Sequence, residues 1–126
     1  MSANRIVFTL VMAFVSGYAT GTGATTTECT ATGNNLAMCA GESETVLANG
    51  NRLLDTAQAY DVGLFDGFVW GIGAVGLQRA WCPTAPFTGN QISAITAKYV
   101  REHPERWGMR PADLVMAALA SAFPCR

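Results

Sequence analysis

Between Asp66 and Ala80 the chain reads DGFVWGIGAVGLQRA, in which Gly71, Gly73 and Gly76 spell G-x-G-x-x-G. That pattern can mark a strand turning into a helix around a dinucleotide pyrophosphate. No other stretch divides the possible folds so sharply, because the choice lies between a nucleotide-binding sheet and a packed helix. The nucleotide reading needs a context that is missing. It calls for an acidic residue about 20 residues further on, to hold a ribose. The chain has Ile95 and Thr96 there, after a stretch broken by Pro83 and Pro86. A single βαβ unit takes roughly 30 residues, so 126 residues leave too little chain for both halves of a Rossmann domain. The alternative is a helix over Val62 to Trp81, with apolar residues on nearly every side, and a helix of that kind is expected to be central and buried. Gly67 and Gly71, four apart, share one face of it. A glycine costs a helix up to about 1 kcal/mol relative to alanine, so the pair predicts close packing, either inside the domain or across a dimer.

The N-terminus narrows the setting. A cationic start ending at Arg5 is followed by the apolar run IVFTLVMAFVSGYA (6–19) and by the small residues TGTGA (20–24). This is the layout of a secretory signal peptide, expected to be cleaved after Ala24. The apolar run is shorter than the roughly 20 residues a membrane span needs, so no membrane attachment is expected after cleavage. Loss of Arg5 leaves seven basic against nine acidic side chains, a net charge of −2, which does not suit a nucleic-acid binder. Four cysteines in a small exported chain predict two disulfides. Three pairings are possible; the expected one joins Cys29 to Cys39 as a local loop and Cys82 to Cys125 as a long-range staple.

Along the chain, residues 25–49 are rich in Thr, Gly, Asn and Ala and read as an irregular lead-in, with a short helix at most over Glu42 to Leu47. Residues 50–126 read as the folded domain. Asn51 is a candidate N-cap for a helix whose apolar positions are Leu53, Leu54, Ala57 and Tyr60. The glycine-containing helix follows. After the loop WCPTAPFTGN (81–90), Thr88 or Asn90 is expected to cap a helix from Gln91 to Glu102, with Ile92, Ile95 and Tyr99 on its apolar face. His103-Pro104 ends it, since the residue before proline disfavours the helical region. Pro111 and Asp113 begin the last helix, striped by Leu114, Val115, Ala118, Leu119, Ala122 and Phe123. The expected fold is all-α, a compact bundle of about four helices stapled by disulfides.

The C-terminal segment HPERWGMRPADLVMAALASAFPC (103–125) resembles the signature of the Rap/Tai family of type VI secretion immunity proteins. GNRLL (50–54), GFVWG (67–71) and Cys82-Pro83 with Gln91 resemble further pieces of that family's pattern, in order, so the likeness spans about residues 50 to 125. In the family the G-Y-I-x-G element lies on a helix, which agrees with the physical reading of the glycines. Ala57 and Phe65 stand where family members commonly carry two cysteines, so a disulfide is lost as a unit. The resemblance implies that the Cys29–Cys39 pair takes over its stapling role. The resemblance implies a periplasmic, often dimeric protein that plugs a peptidoglycan-cleaving amidase effector and has no catalysis or cofactor of its own. The alternative is an exported helical domain with an accessory role and no toxin partner.

The individual residues agree with a binding protein. His103 is the only histidine and has no nucleophile or second metal ligand in pattern with it, so no enzyme is expected and no metal. Trp107 lies with Glu105, Arg106 and Arg110 on a turn between helices. Trp and Arg are typical interface anchors, which makes these four the candidate partner-binding residues; the competing expectation is that Trp107 folds back as a lid on the core. Asp61, Asp66 and Arg79 could pair with a partner or with one another.

Overall fold

A computed structural model describes residues 28–52 and 55–126; the expected signal peptide at 1–24 lies outside them. The described residues form four α-helices and no strand: α1 (Gly33–Ala48), α2 (Thr56–Gly76), α3 (Gly89–Glu102) and α4 (Pro111–Ala122), with a 3-10 turn at Pro104–Arg106. The bundle is fastened by Cys29–Cys39 and Cys82–Cys125, as expected, with Cα atoms 5.8 Å and 4.8 Å apart.

The first correction concerns residues 25–49. From Gly33 this segment is a 16-residue helix, not an irregular lead-in. Its Gly, Asn and Thr are concentrated at the start, where such residues cap: Thr32 accepts from the Asn35 backbone N–H at 3.2 Å. Behind them Leu36, Ala37, Ala40, Ser43 and Val46 recur at helical spacing and are buried. The segment's average composition concealed both signals. The second correction is that the two helices expected from Asn51 to Trp81 are one, over 56–76. Asn51 does not cap it; with Gly50 it takes positive φ (62° and 67°) and turns the chain after α1. The cap is Asp55, whose carboxylate accepts from Gln58 N–H at 2.8 Å. No proline interrupts the chain between Tyr60 and Val62, so the helix runs through. Of its expected apolar face, Leu53 and Leu54 lie outside the described residues and Tyr60 faces solvent.

The third correction reorders the core. The central helix is α3, which packs against α1, α2 and α4. Its buried residues are Ile92, Ser93, Thr96, Ala97 and Val100, mostly small, and Ile95 and Tyr99 are only half-buried. Small residues let three helices approach one. Its start is set locally by a capping box, in which Thr88 accepts from Gln91 N–H and the Gln91 side chain accepts from Thr88 N–H. Arg101 pairs with Glu44 to tie α3 to α1.

The apolar helix α2, by contrast, has apolar residues on its open face as well as its buried one. It buries Asp61, Val62, Phe65, Val69, Gly73 and Gly76 against the bundle. Its two acids face inward: Asp61 is 7% exposed with Oδ1 unpartnered, and Asp66 is half-buried. Tyr60, Trp70 and Val75 face outward. A Cβ built on Gly67 or Gly71 would meet nothing within 4 Å, so these two do not pack inside the domain. The glycines that do are Gly73, where a Cβ would sit 3.2 Å from Leu119 Cδ1, and Gly76, where it would sit 2.4 Å from Met116 Sδ. Two of the three glycines of G-x-G-x-x-G therefore serve helix packing.

Candidate partner-binding site

Two regions present aromatic side chains at the surface, the first of them together with arginines. The first is the turn from His103 to Arg110. The His103 ring stacks on Tyr99 at 4.1 Å and its Nδ1 lies 2.7 Å from the Tyr99 carbonyl. Arg106 donates to the Tyr99 hydroxyl at 2.7 Å, its guanidinium 5.8 Å from that ring's centroid. Trp107 is partly buried against the core, and its indole N–H donates to the Val100 carbonyl at 2.7 Å. The lid reading of Trp107 therefore describes its position, since both its ring and its one donor are engaged within the chain. The Trp107 carbonyl oxygen also abuts Gly33, where a Cβ would come within 2.3 Å of it. That contact lets the start of α1 sit against the turn. Arg110 forms a two-pronged bond to Asp113 at 2.7 and 3.0 Å. Arg110 and Glu105 remain exposed, the latter 3.9 Å from Arg106 Nε. Of the four candidate residues, then, Trp107 and Arg106 are engaged within the chain, and Glu105 and Arg110 are exposed, Arg110 with its guanidinium held by Asp113.

The second region was not singled out from the sequence. Where α2 ends, the chain turns back under Trp81, which is 1% exposed and donates its indole N–H to the Gly73 carbonyl at 2.8 Å. Phe87 meets the Trp81 ring edge-on at 5.2 Å and Phe123 lies 5.6 Å away. Cys82 N–H donates to the Phe123 carbonyl at 2.8 Å, beside the Cys82–Cys125 bond. Over this fixed floor opens a groove of about 310 Å³, walled by Trp70, Ala74 and Leu77 on one side and by Phe87, Gly89 and Ile92 on the other. Beyond Phe87 it continues into a second hollow lined by Pro86, Ile95 and Phe123, among others. Trp70 is 52% exposed, Leu77 and Phe87 37% each. Trp70 lies against the first residue of α3: a Cβ at Gly89 would come 1.2 Å from its ring. Only glycine there permits that pose.

Sequence reading missed Trp70 and Leu77 because it assigned the whole stretch from Val62 to Trp81 to a buried helix, and Phe87 because it read 81–90 only as a connecting loop. A signal was present. The two charges of α2, at 61 and 66, leave a face (60, 63, 67, 71, 74) without any, and Trp70 borders that face one turn after Asp66. A wholly uncharged face on a helix with so few charges can be the exposed one if the acids are held inside.

They are held inside with consequences. Burial raises the Asp66 carboxyl above its ordinary 3.8, partly countered by the nearby Ser93 and Ser43 hydroxyls. Ser43 donates to it over a long 3.5 Å. Burial also raises Glu42, with Asp61 and then Asp55 adding repulsion. Cys29, Cys39 and Asp61 gather ligand-type atoms within 4.8 Å, but the two sulfurs are bonded to each other and offer no thiolate. No helix of the described residues is long and apolar enough to cross a membrane.

Against known proteins, no curated protein and no solved structure matches the chain. A family model does, over residues 32–125, and its description is Rap1a immunity proteins.

Proposed function

The chain belongs to the Rap1a immunity protein family, and from that premise we propose that it acts in the periplasm, binding a peptidoglycan-cleaving amidase effector of type VI secretion and blocking it. The observation that carries this reading is the extent of the match. It starts at the cap of α1 and ends at Cys125, so it takes in all four helices and the Cys82–Cys125 staple. Two disulfides suit an oxidising compartment, and the signal-like residues 1–24 supply a route to it. The protein works by occupying a surface of its partner and carries out no reaction itself. The same reading extends to a homodimer, with the open Gly67 and Gly71 leaving room for a second copy.

The test uses the oxidised mature chain and the purified product of the amidase effector gene beside its own. Size exclusion should give a stable complex, and peptidoglycan hydrolysis by the effector should stop at one equivalent. An active effector that neither binds nor is inhibited would remove the immunity reading for that effector.

A further inference from the structure

We infer that the chain binds a zinc ion when Cys29 and Cys39 are reduced, with the two thiolates and the Asp61 carboxylate as its ligands. The ion and the Cys29–Cys39 disulfide exclude each other. The inference does not depend on the immunity reading.

Geometry comes first. Cys29 precedes α1, Cys39 lies within it and Asp61 lies on α2. The two sulfurs and a carboxylate oxygen of Asp61 are all within 4.8 Å of one another, and all three residues are buried. Three atoms so placed share a centre no farther than 4.8/√3, about 2.8 Å, from each, close to the roughly 2.3 Å of a zinc–sulfur bond and the 2.0–2.2 Å of a zinc–carboxylate bond. Cys29 Sγ also lies 3.4 Å from the Asp61 carbonyl, so backbone and side chain of this residue both abut the cysteines. Reduction frees the sulfurs to part to the roughly 3.8 Å that two thiolates on one tetrahedral zinc require. Among the described residues no third ligand atom gathers with Cys82 and Cys125.

Asp61 itself supplies a second argument. It is 7% exposed and its Oδ1 has no donor, a costly state for a carboxylate. A disulfide cannot answer that charge, whereas a cation between the carboxylate and two thiolates does. No ion pair of the described residues reaches Asp61 or its α1 neighbour Glu42, whose Oε2 is likewise buried without a donor. Two thiolates with one carboxylate suit zinc and not calcium or magnesium, which take oxygen ligands. The occasion for binding is export. Disulfides form in an oxidising compartment, so the chain arrives there with thiols. Zinc then ties Cys29 and α1 to α2 through Asp61. Exchange with an oxidised dithiol carrier later joins the two sulfurs and releases the ion. The carrier takes two electrons from the thiolates and two protons from water as it becomes a dithiol.

The experiment uses the full mature chain, reduced by a phosphine. The phosphine gives two electrons to each disulfide and takes an oxygen from water, whose two protons go to the two sulfurs. Cobalt(II) is then added as the spectroscopic probe, with zinc as its competitor, and circular dichroism follows the fold. Reduced wild type should show a sulfur-to-cobalt charge-transfer band and the intense visible bands of tetrahedral cobalt, and one equivalent of zinc should remove both. Oxidised wild type should show neither. Calorimetry in two buffers should find about two protons released per ion, one from each thiol. Asp61→Asn keeps the shape of the side chain, removes its charge and should weaken zinc binding roughly tenfold or more. Cys29→Ser with Cys39→Ser should lose the sulfur band although Cys82 and Cys125 are then thiols. Zinc should also protect Cys29 and Cys39, and not Cys82 and Cys125, from alkylation, and should raise the melting temperature of the reduced chain. A reduced wild-type chain without the sulfur band, folded or not, would overturn the site. So would a band that survives the Cys29→Ser, Cys39→Ser exchange, or a zinc affinity that Asp61→Asn leaves unchanged.

Discussion

Trp107 and Trp70 are each followed by a glycine, yet they end in opposite states. Trp107 has its indole N–H on Val100 and its ring on the core, and its carbonyl abuts Gly33. Trp70 lies on the surface over Gly89 with half its area open. The turn around Trp107 is a joint between helices; the groove beside Trp70 is a surface left for something else. Residue type marked Trp107 as an anchor and placed Trp70 inside a buried helix. What separates them is whether a neighbouring element offers a partner for the indole.

Each region also has its own disulfide, and the largest expected effects test that division. Replacing Cys82 and Cys125 by alanine opens a loop with a sequence separation of 43 and should cost roughly 4 kcal/mol. It should also loosen the groove, seen as faster amide exchange near Trp81. Replacing Cys29 and Cys39, a separation of 10, should cost roughly 3 kcal/mol and leave exchange near Trp81 unchanged. Denaturant melts with residue-level exchange would read both, and equal effects on the two regions would merge them into one unit.

Next come the tryptophans themselves. Trp107→Ala should lower stability by about 3 kcal/mol through the cavity it leaves, and Trp107→Phe by about 1–2 kcal/mol through the orphaned Val100 carbonyl. Trp70→Ala should stay within about 1 kcal/mol. If Trp70→Ala proved the more damaging to stability, the groove would be part of the core and the contrast would fail.

The glycines sharpen the comparison further. Gly33→Ala places a Cβ against backbone of the turn, which cannot move aside cheaply, so it should lower the melting temperature. Gly67→Ala enters open space on a helix and should raise stability by up to about 1 kcal/mol. A loss at Gly67 would show that a second copy packs there.

The smallest effect is in pH. Asp66 and Glu42 have carboxyls raised above their ordinary 3.8 and 4.5, so the folded chain binds these protons more tightly than the unfolded one. Their contribution is therefore present at low pH and declines as pH rises from those values through the raised ones. Asp66→Asn with Glu42→Gln should flatten that decline in melting temperature. Neither residue lines the groove or the turn, so binding to the effector should not change.

Much of this molecule was legible in its sequence, and the legible parts share a physical character. The all-helical class, the Thr88–Gln91 start of α3, the stop at His103-Pro104, the Pro111 start of α4 and the presence of two disulfides all depend on the chain within a few residues or on the cysteine count. Even α1 was available locally, through Thr32 and the spacing of Leu36, Ala40 and Ser43, and was hidden only by averaging over composition. The tertiary structure alone decided which face of each helix is inside. In α3 the small Ser93, Thr96 and Ala97 are buried because three helices converge on them. In α2, Asp61 and Asp66 point inward, while Tyr60, Trp70, Gly67 and Gly71 are left to solvent. Apolar character can be read one residue at a time. Burial cannot, because it belongs to a residue together with its neighbours in space, and those neighbours come from distant parts of the chain.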